Sequence, residues 1–150
     1  MLLSLPHVAI LRATKIISRP FPLFEKWRQK WASGQAIGGF ENMYTAPVPI
    51  TQMLEALMHL GTIKQKGIYH ISGPEEISFH DLARLCADEL KISQNLVSRC
   101  EATDHGIPAN FIMRHPSLFP SGLEHMPIQD VRTVVMQYMK AVPYSSAGAR

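Results

Sequence analysis

Cysteine is scarce in this chain, with Cys86 and Cys100 the only two among 150 residues. That excludes a multi-bridge disulfide framework, and no Cys/His pair has the spacing of a zinc module, so a reducing, cytoplasmic setting is expected. Long apolar runs are missing too. Residues 1–17 are apolar but contain Arg12 and Lys15 and lack a basic leader, which argues against a signal peptide or a membrane span. Pro20 and Pro22 break the amphipathic helix that a transit peptide would need. Neither sign of charge dominates: the net charge of +3 and pI near 9.0 permit an anionic ligand without calling for nucleic acid. The nine glycines form no phosphate loop, because Gly38-Gly39 is not followed by a Lys-Ser/Thr pair opening a helix. No two of the seven histidines stand four apart, so a helical metal site is not expected.

What is present reads as one globular domain, 46% hydrophobic and 18% charged. Its clearest stretch starts at Gly67. Ile68, Tyr69 and Ile71 form a β-prone run, and Gly73-Pro74 ends it. Ser78 then predicts a helix N-cap with Asp81 three residues on, Ile77 is placed to staple onto Leu82, and Leu82, Leu85, Cys86, Glu89 and Leu90 follow at helical spacing.

Upstream, Val8-Ala9-Ile10-Leu11 is an unbroken apolar run, as in a strand covered on both faces of a parallel sheet. After Pro22, Leu23, Phe24, Trp27 and Trp31 share one helix face, with Gly34 as its stop, and the tryptophans read as core rather than as nucleobase stackers. Ile37 to Tyr44 reads as a loop or short edge strand. Thr51 is expected to cap a helix running to about Leu60, with Met53, Leu54, Leu57 and Met58 facing inward and Gly61 ending it. Leu96-Val97 is a possible short strand. Residues 101–126 form a long irregular segment of the kind that is functional or ordered by a partner. A last helix over 127–140 aligns Val131, Val134, Val135, Tyr138 and Met139, and 143–150 reads as a flexible tail. This alternation predicts an α/β fold with a parallel sheet, yet only two convincing buried strands are present, so the expectation is that either other copies or chains supply their neighbours or the chain is the C-terminal piece of something longer.

One rival comes from residues 82–99, where Ala87, Leu90, Ile92, Ser93 and Val97 imitate helix-turn-helix spacing, with Lys91 and Arg99 as phosphate contacts. Lys91 stands where that turn usually has glycine, which makes DNA binding the lesser reading. Asp104 beside His105 has no evident nucleophile near it and supports no acid/base site.

Four segments in unbroken order carry a resemblance: Val8-Ala9-Ile10-Leu11-Arg12-Ala13-Thr14, then Ala46-Pro47-Val48, then Gly67 to Gly73 with the Ser78 helix, then Arg114-His115-Pro116-Ser117-Leu118. Together they resemble the C-terminal, substrate-binding half of the dTDP-4-dehydrorhamnose reductase family of extended short-chain dehydrogenase/reductases. That family includes the similar, non-catalytic regulatory β subunit of methionine adenosyltransferase. The resemblance implies, over residues 1–142, the last strands of a Rossmann-type parallel sheet plus a small sugar-nucleotide-binding lobe. It implies that Thr14 lines the cofactor side of the cleft, that Pro47 and Val48 sit beside the nucleotide, and that Arg114 clamps a diphosphate. His115 separates Arg114 from Pro116 where the family commonly has Arg-Pro.

The family's Gly-x-x-Gly-x-x-Gly turn and Tyr-x-x-x-Lys pair have no counterpart here, since Tyr44, Tyr69, Tyr138 and Tyr144 lack a lysine four residues on. NAD(P), the family's cofactor, is therefore not expected on this chain. No catalytic residue is assigned, and reductase activity is not expected of the chain alone. The expected partners are a nucleotide sugar and an N-terminal Rossmann chain, or another protein if the chain is a regulatory module of the same fold.

Overall fold

The apolar periodicities translate into an alternating chain, seen in a computed structural model that describes residues 8–118 and 122–141. In order, the elements are β1 (Ala9–Ala13), β2 (Ile16–Ile17), α1 (Pro22–Ala32), β3 (Ile37–Phe40), β4 (Tyr44–Thr45) and β5 (Val48–Pro49). There follow α2 (Ile50–Ile63), β6 (Gly67–Ile71), β7 (Ile77–Ser78), α3 (Phe79–Glu89), β8 (Val97–Cys100) and α4 (Val131–Lys140). The tail read at 143–150 and the first seven residues lie outside the described residues.

The strands join in pairs. β1 and β6 run parallel, with Ala9 beside Gly67 and Ala13 beside Ile71. β2 with β5 and β3 with β8 are also parallel, whereas β4 with β7 is antiparallel. The mixed α/β fold with a parallel sheet is thus present, and the two strands read from sequence are each other's neighbours. β1 is less covered than its unbroken run implied: Leu11 and Ala13 pack inward, but Ala9 and Arg12 are exposed.

Two apolar bodies hold the elements. In the larger, Phe24, Trp27 and Trp31 of α1 meet Leu82, Ala83, Cys86 and Ala87 of α3 and Val131, Val134, Val135, Tyr138 and Met139 of α4, with Ile37 and Val97 closing it. The tryptophans are core, and the indole N–H of Trp31 reaches the Leu96 carbonyl at 3.3 Å. α3 starts as its sequence dictates: the Asp81 N–H donates to Ser78 Oγ at 3.0 Å while that hydroxyl donates to Asp81 Oδ2 at 2.8 Å. α4 has a cap that the apolar pattern did not reveal, Asp130, which accepts the Thr133 N–H at 2.8 Å. The smaller body joins Leu11, Ala13, Tyr69 and Ile71 of the β1–β6 pair to Ala56 and Leu60 of α2, with Val48 and Leu123.

Two expectations are corrected. α2 buries Gln52, Ala56 and Leu60 and turns Leu54, Leu57 and Met58 outward, at 50%, 46% and 74% exposure. The helix is apolar on both sides, so spacing could not choose the face. The choice is made by Gln52, whose amide donates to the Pro127 carbonyl and whose Oε1 accepts the Gln129 N–H at 3.3 Å. Pro49, not Thr51, is the N-cap, and the helix runs past Gly61 to Ile63, ending at a left-handed Lys64. Gly38-Gly39 lies within β3, the edge-strand alternative of the two read for this segment. A Cβ on Gly39 would come 2.5 Å from His80 Cα, so glycine lets the strand pass under the start of α3. Secondly, within residues 82–99, read as the rival helix-turn-helix, α3 is followed by a single 3-10 turn and β8 in place of a second helix, which removes that geometry.

Candidate functional site

Clefts in open α/β sheets form beyond the carboxyl ends of the parallel strands, and the site is built from that end of β1 and β6. The Thr14 N–H donates to the Ile71 carbonyl at 3.2 Å, and its hydroxyl donates to the Ala46 carbonyl. The Gly73 N–H reaches the same Ala46 oxygen at 3.3 Å. One carbonyl thereby ties the end of β1 and the end of β6 to the segment entering β5.

Beside this knot lies a cleft of about 330 Å³, lined by Thr14, Lys15, Tyr44, Phe79, Met113 and Pro116 among others. A second, more polar cleft of about 550 Å³ is lined by Glu41, Asn42, Tyr44, Glu76, Glu101, Arg114 and His115. Tyr44 lines both, so the two adjoin. Aromatic and apolar groups on one side with a guanidinium and carboxylates on the other suit an amphipathic ligand that has a flat ring, an anionic centre and hydroxyl donors.

The far wall is a loop, and hydrogen bonds hold it. The Tyr44 N–H donates to the Met113 carbonyl at 2.8 Å, and the Phe79 N–H to the Met43 carbonyl at 3.0 Å. Glu76 Oε1 accepts the Ser117 N–H at 3.0 Å and the Ser117 hydroxyl at 2.5 Å, while Oε2 lies 3.3 Å from His115 Nδ1. This clasp fixes the residues on either side of Pro116 and so sets where Arg114 projects. Of the carboxylates in the polar cleft, Glu41 is partnered by Arg99 at 3.5 Å.

The Ser117 hydroxyl, then its N–H, and then His115 draw the Glu76 carboxyl below its ordinary value of 4.5. A carboxylate whose folded pKa is depressed adds stability above its unfolded pKa and loses that contribution as pH falls through the folded value. The Ser117 amide resonance is therefore expected to titrate with a midpoint below 4.5, the ordinary glutamate value. A midpoint at or above it would show that the clasp does not form.

The residues read from sequence divide. Thr14 lines the smaller cleft and Arg114, exposed, the larger one. Pro47 and Val48 line neither; both side chains are fully buried, Val48 within the smaller apolar body, where they seat β5 against β2. Sequence reasoning did not find Tyr44, Glu76 or Ser117. Glu76 and Ser117 are 41 residues apart, and nothing local marks them as partners. Tyr44 carried one usable signal, its place three residues before Pro47.

The mixed α/β architecture, with its parallel strand pairs, is shared with solved structures of a dTDP-4-dehydrorhamnose reductase, a UDP-N-acetylglucosamine 4-epimerase and a dTDP-glucose 4,6-dehydratase. In particular, the chain is similar to the dTDP-4-dehydrorhamnose reductase of Bacillus anthracis solved with NADP, at a TM-score of 0.78 and 12% identity, over 89% of this chain and 48% of that one. It is similar to a dTDP-4-dehydrorhamnose reductase of Clostridium acetobutylicum, at a TM-score of 0.74 and 12% identity with the same coverage, 89% and 48%. A UDP-N-acetylglucosamine 4-epimerase of Methanobrevibacter ruminantium, solved with UDP-N-acetylmuramic acid, matches at a TM-score of 0.63 and 12% identity, over 89% and 46%. At these identities the likeness is one of fold. The chain spans about half the length of these structures. No protein-family model and no curated protein matches it. No helix among the described residues is long and apolar enough to cross a membrane.

Proposed function

We propose that this chain is the sugar-nucleotide-binding half of a reductase-like Rossmann-type protein and that it binds a nucleoside diphosphate sugar across the two adjoining clefts. The observation that carries this reading is that Thr14, at the carboxyl end of the parallel β1–β6 pair, lines one cleft and Arg114 the other, with Tyr44 lining both. Tyr44, Phe79 and Met113 offer a bed for the base. Arg114 supplies the diphosphate contact, and the carboxylate of Glu101, which lines the same cleft, is placed for sugar hydroxyls. The fold likeness to an epimerase solved with a UDP-linked sugar supports the ligand class.

The starts of α3 and α4 do not suit a pyrophosphate: they are already filled by Ser78 Oγ and the Asp130 carboxylate, and an aspartate at a helix start repels that group, whereas α1 and α2 start without a side-chain cap. The sequence also lacks a Tyr-x-x-x-Lys pair. Thr14 is assigned to the cofactor-side flank of the cleft, where it would face a dinucleotide held by other residues. The chain alone therefore binds sugar nucleotide without reducing it. Both cysteines are free, which fits a cytoplasmic setting.

The test is calorimetric titration of the purified chain with UDP- and dTDP-linked hexoses. Removing a charge-assisted contact costs about 1.5–3 kcal/mol, so Arg114→Ala is expected to weaken binding by roughly 10- to 100-fold while leaving the melting curve in place. Unchanged affinity in that variant, or no binding by the parent chain, would overturn the proposal. Turnover of a nucleotide-linked 4-keto sugar with NADPH would overturn the non-catalytic part alone.

A further inference from the structure

We infer that a cleft outside the sugar-nucleotide site, formed by Arg19 with residues of α2 and α4, is a second ligand site, for a small amphipathic monocarboxylate. The cleft holds about 410 Å³, within the range of small-molecule sites, and shares no lining residue with the two clefts described above. It lies at the carboxyl end of the parallel β2–β5 pair, where Ile17 stands beside Pro49 and both strands end. Ser18 and Arg19 leave one strand there, and Ile50 and Thr51 leave the other. Ligand crevices in parallel α/β folds open at this end of the strands.

The chemistry of its walls is divided. Ile17, Val134 and Tyr138 are buried members of the larger apolar body and give the cleft an apolar floor, to which Pro49 and Ile50 add. Arg19 is the one charged residue of the lining, which contains no aspartate or glutamate. Its guanidinium lies 5.3 Å from the centre of the Tyr138 ring, and Nη2 donates to the Gln137 carbonyl at 2.6 Å and to the Tyr138 carbonyl at 3.2 Å. Both bonds leave from that one nitrogen. Nε and Nη1 keep their N–H donors without a protein acceptor among the described residues.

Carbonyl oxygens fix a guanidinium in place without neutralising it, so the lining carries one uncompensated positive charge. A carboxylate on the free donors of Arg19 balances that charge, whereas a phosphate dianion would exceed it. The hydroxyls of Ser18 and Thr51 add neutral donors within the same lining. An alkyl body laid over Ile17, Val134 and Ile50 removes apolar surface from water, which a sugar ring would not do as well. These features select a monoanion with an apolar tail. None of the lining residues belongs to the sugar-nucleotide clefts, so this site and the proposed function can fail independently.

The experiment titrates the full chain, labelled with nitrogen-15, with octanoate and separately with octanamide, and follows the backbone amide resonances. Octanoate is expected to shift the amides of Ile17, Arg19, Thr51 and Val134 saturably while those of Thr14, Tyr44 and Arg114 stay in place. Octanamide, which has the same tail and no charge, should bind at least about tenfold more weakly. Arg19→Gln should bring the two affinities together. Because Arg19 also holds the end of α4, Ile50→Glu is the second variant. Position 50 is the first residue of α2 and 37% exposed, so an acid is tolerated there by the helix, yet it sets a like charge against the ligand. That variant should weaken octanoate at least about tenfold relative to octanamide. Equal affinities for the two ligands in the parent chain, no saturable shift with octanoate, shifts centred on the outward Leu54, Leu57 and Met58, or an unchanged affinity ratio in both variants would each overturn the inference.

Discussion

Gly73→Val is expected to break the site and much of the fold with it. A Cβ at that position would lie 2.5 Å from the Pro47 carbonyl oxygen, 2.9 Å from the Ala46 carbonyl carbon and 3.1 Å from the Pro47 nitrogen. All three are backbone atoms, so no side-chain rotation relieves the overlap, and the Ala46-Pro47 segment must move. It cannot move alone. Its Ala46 carbonyl holds Thr14 and Gly73 together, and the next residues pair Val48 with Ile16 and Pro49 with Ile17.

Overpacking of a closed core costs about 1–3 kcal/mol, and a backbone clash belongs at the upper end of that range or beyond. With a urea slope of about 1–3 kcal/mol/M, a loss near 3 kcal/mol lowers the unfolding midpoint by roughly 1–3 M. Gly61→Ala is the control of opposite sign. Gly61 lies inside α2 and a Cβ there meets nothing within 4 Å, so replacing glycine by alanine should stabilise the helix by about 0.5–1 kcal/mol. A Gly73→Val chain that unfolds at the parent's urea concentration and binds sugar nucleotide normally would show that Ala46 is not the knot of this site.

The contrast between these two glycines shows what sequence can and cannot disclose. Local chemistry is legible: Ser78 with Asp81 announces the start of α3, the Val131 to Met139 spacing announces α4, and the Trp27–Trp31 pair announces a buried face. Each of those decisions is made within one or two helical turns. Features that depend on a distant partner are not legible. Gly38-Gly39 reads equally as loop or edge strand until α3 is laid across it, and α2 has apolar residues on both sides until Gln52 finds Pro127, 75 residues away.

The cleft falls in the second category. Thr14 and Arg114 were accessible through resemblance, but the Glu76 clasp on Ser117 that aims Arg114 exists only once β7 and the loop are side by side. Pro47 and Val48 show the complementary case. Their position in the chain suggested the ligand, and their full burial shows what they do locally, which is to hold β5 in place beneath the cleft.

Phe24→Ala should cost about 3–5 kcal/mol, the range for deleting a buried aromatic ring from a core that cannot collapse around the gap. Phe24 is 0% exposed and sits edge-on to Phe21 at 4.8 Å and to Tyr138 at 5.0 Å, with Trp27 at 5.7 Å. Those neighbours are fixed by polar bonds as well as by packing. The Tyr138 hydroxyl donates to Glu25 Oε1 at 2.8 Å and accepts the Phe21 N–H at 2.7 Å, so closing the cavity would mean giving up both bonds. The gap therefore stays open, and the lost contacts between α1 and α4 are not replaced. For a domain held by about 5–15 kcal/mol, that is a large fraction of the whole. Phe111, 65% exposed, is the comparison: Phe111→Ala should change stability by no more than about 0.5 kcal/mol. Because Phe24 lies in the α1–α3–α4 body and not in the cleft, the folded fraction of the Phe24→Ala chain should retain the parent's sugar-nucleotide affinity. A loss under 1 kcal/mol in urea unfolding would mean that α1 and α4 are not closed around this ring.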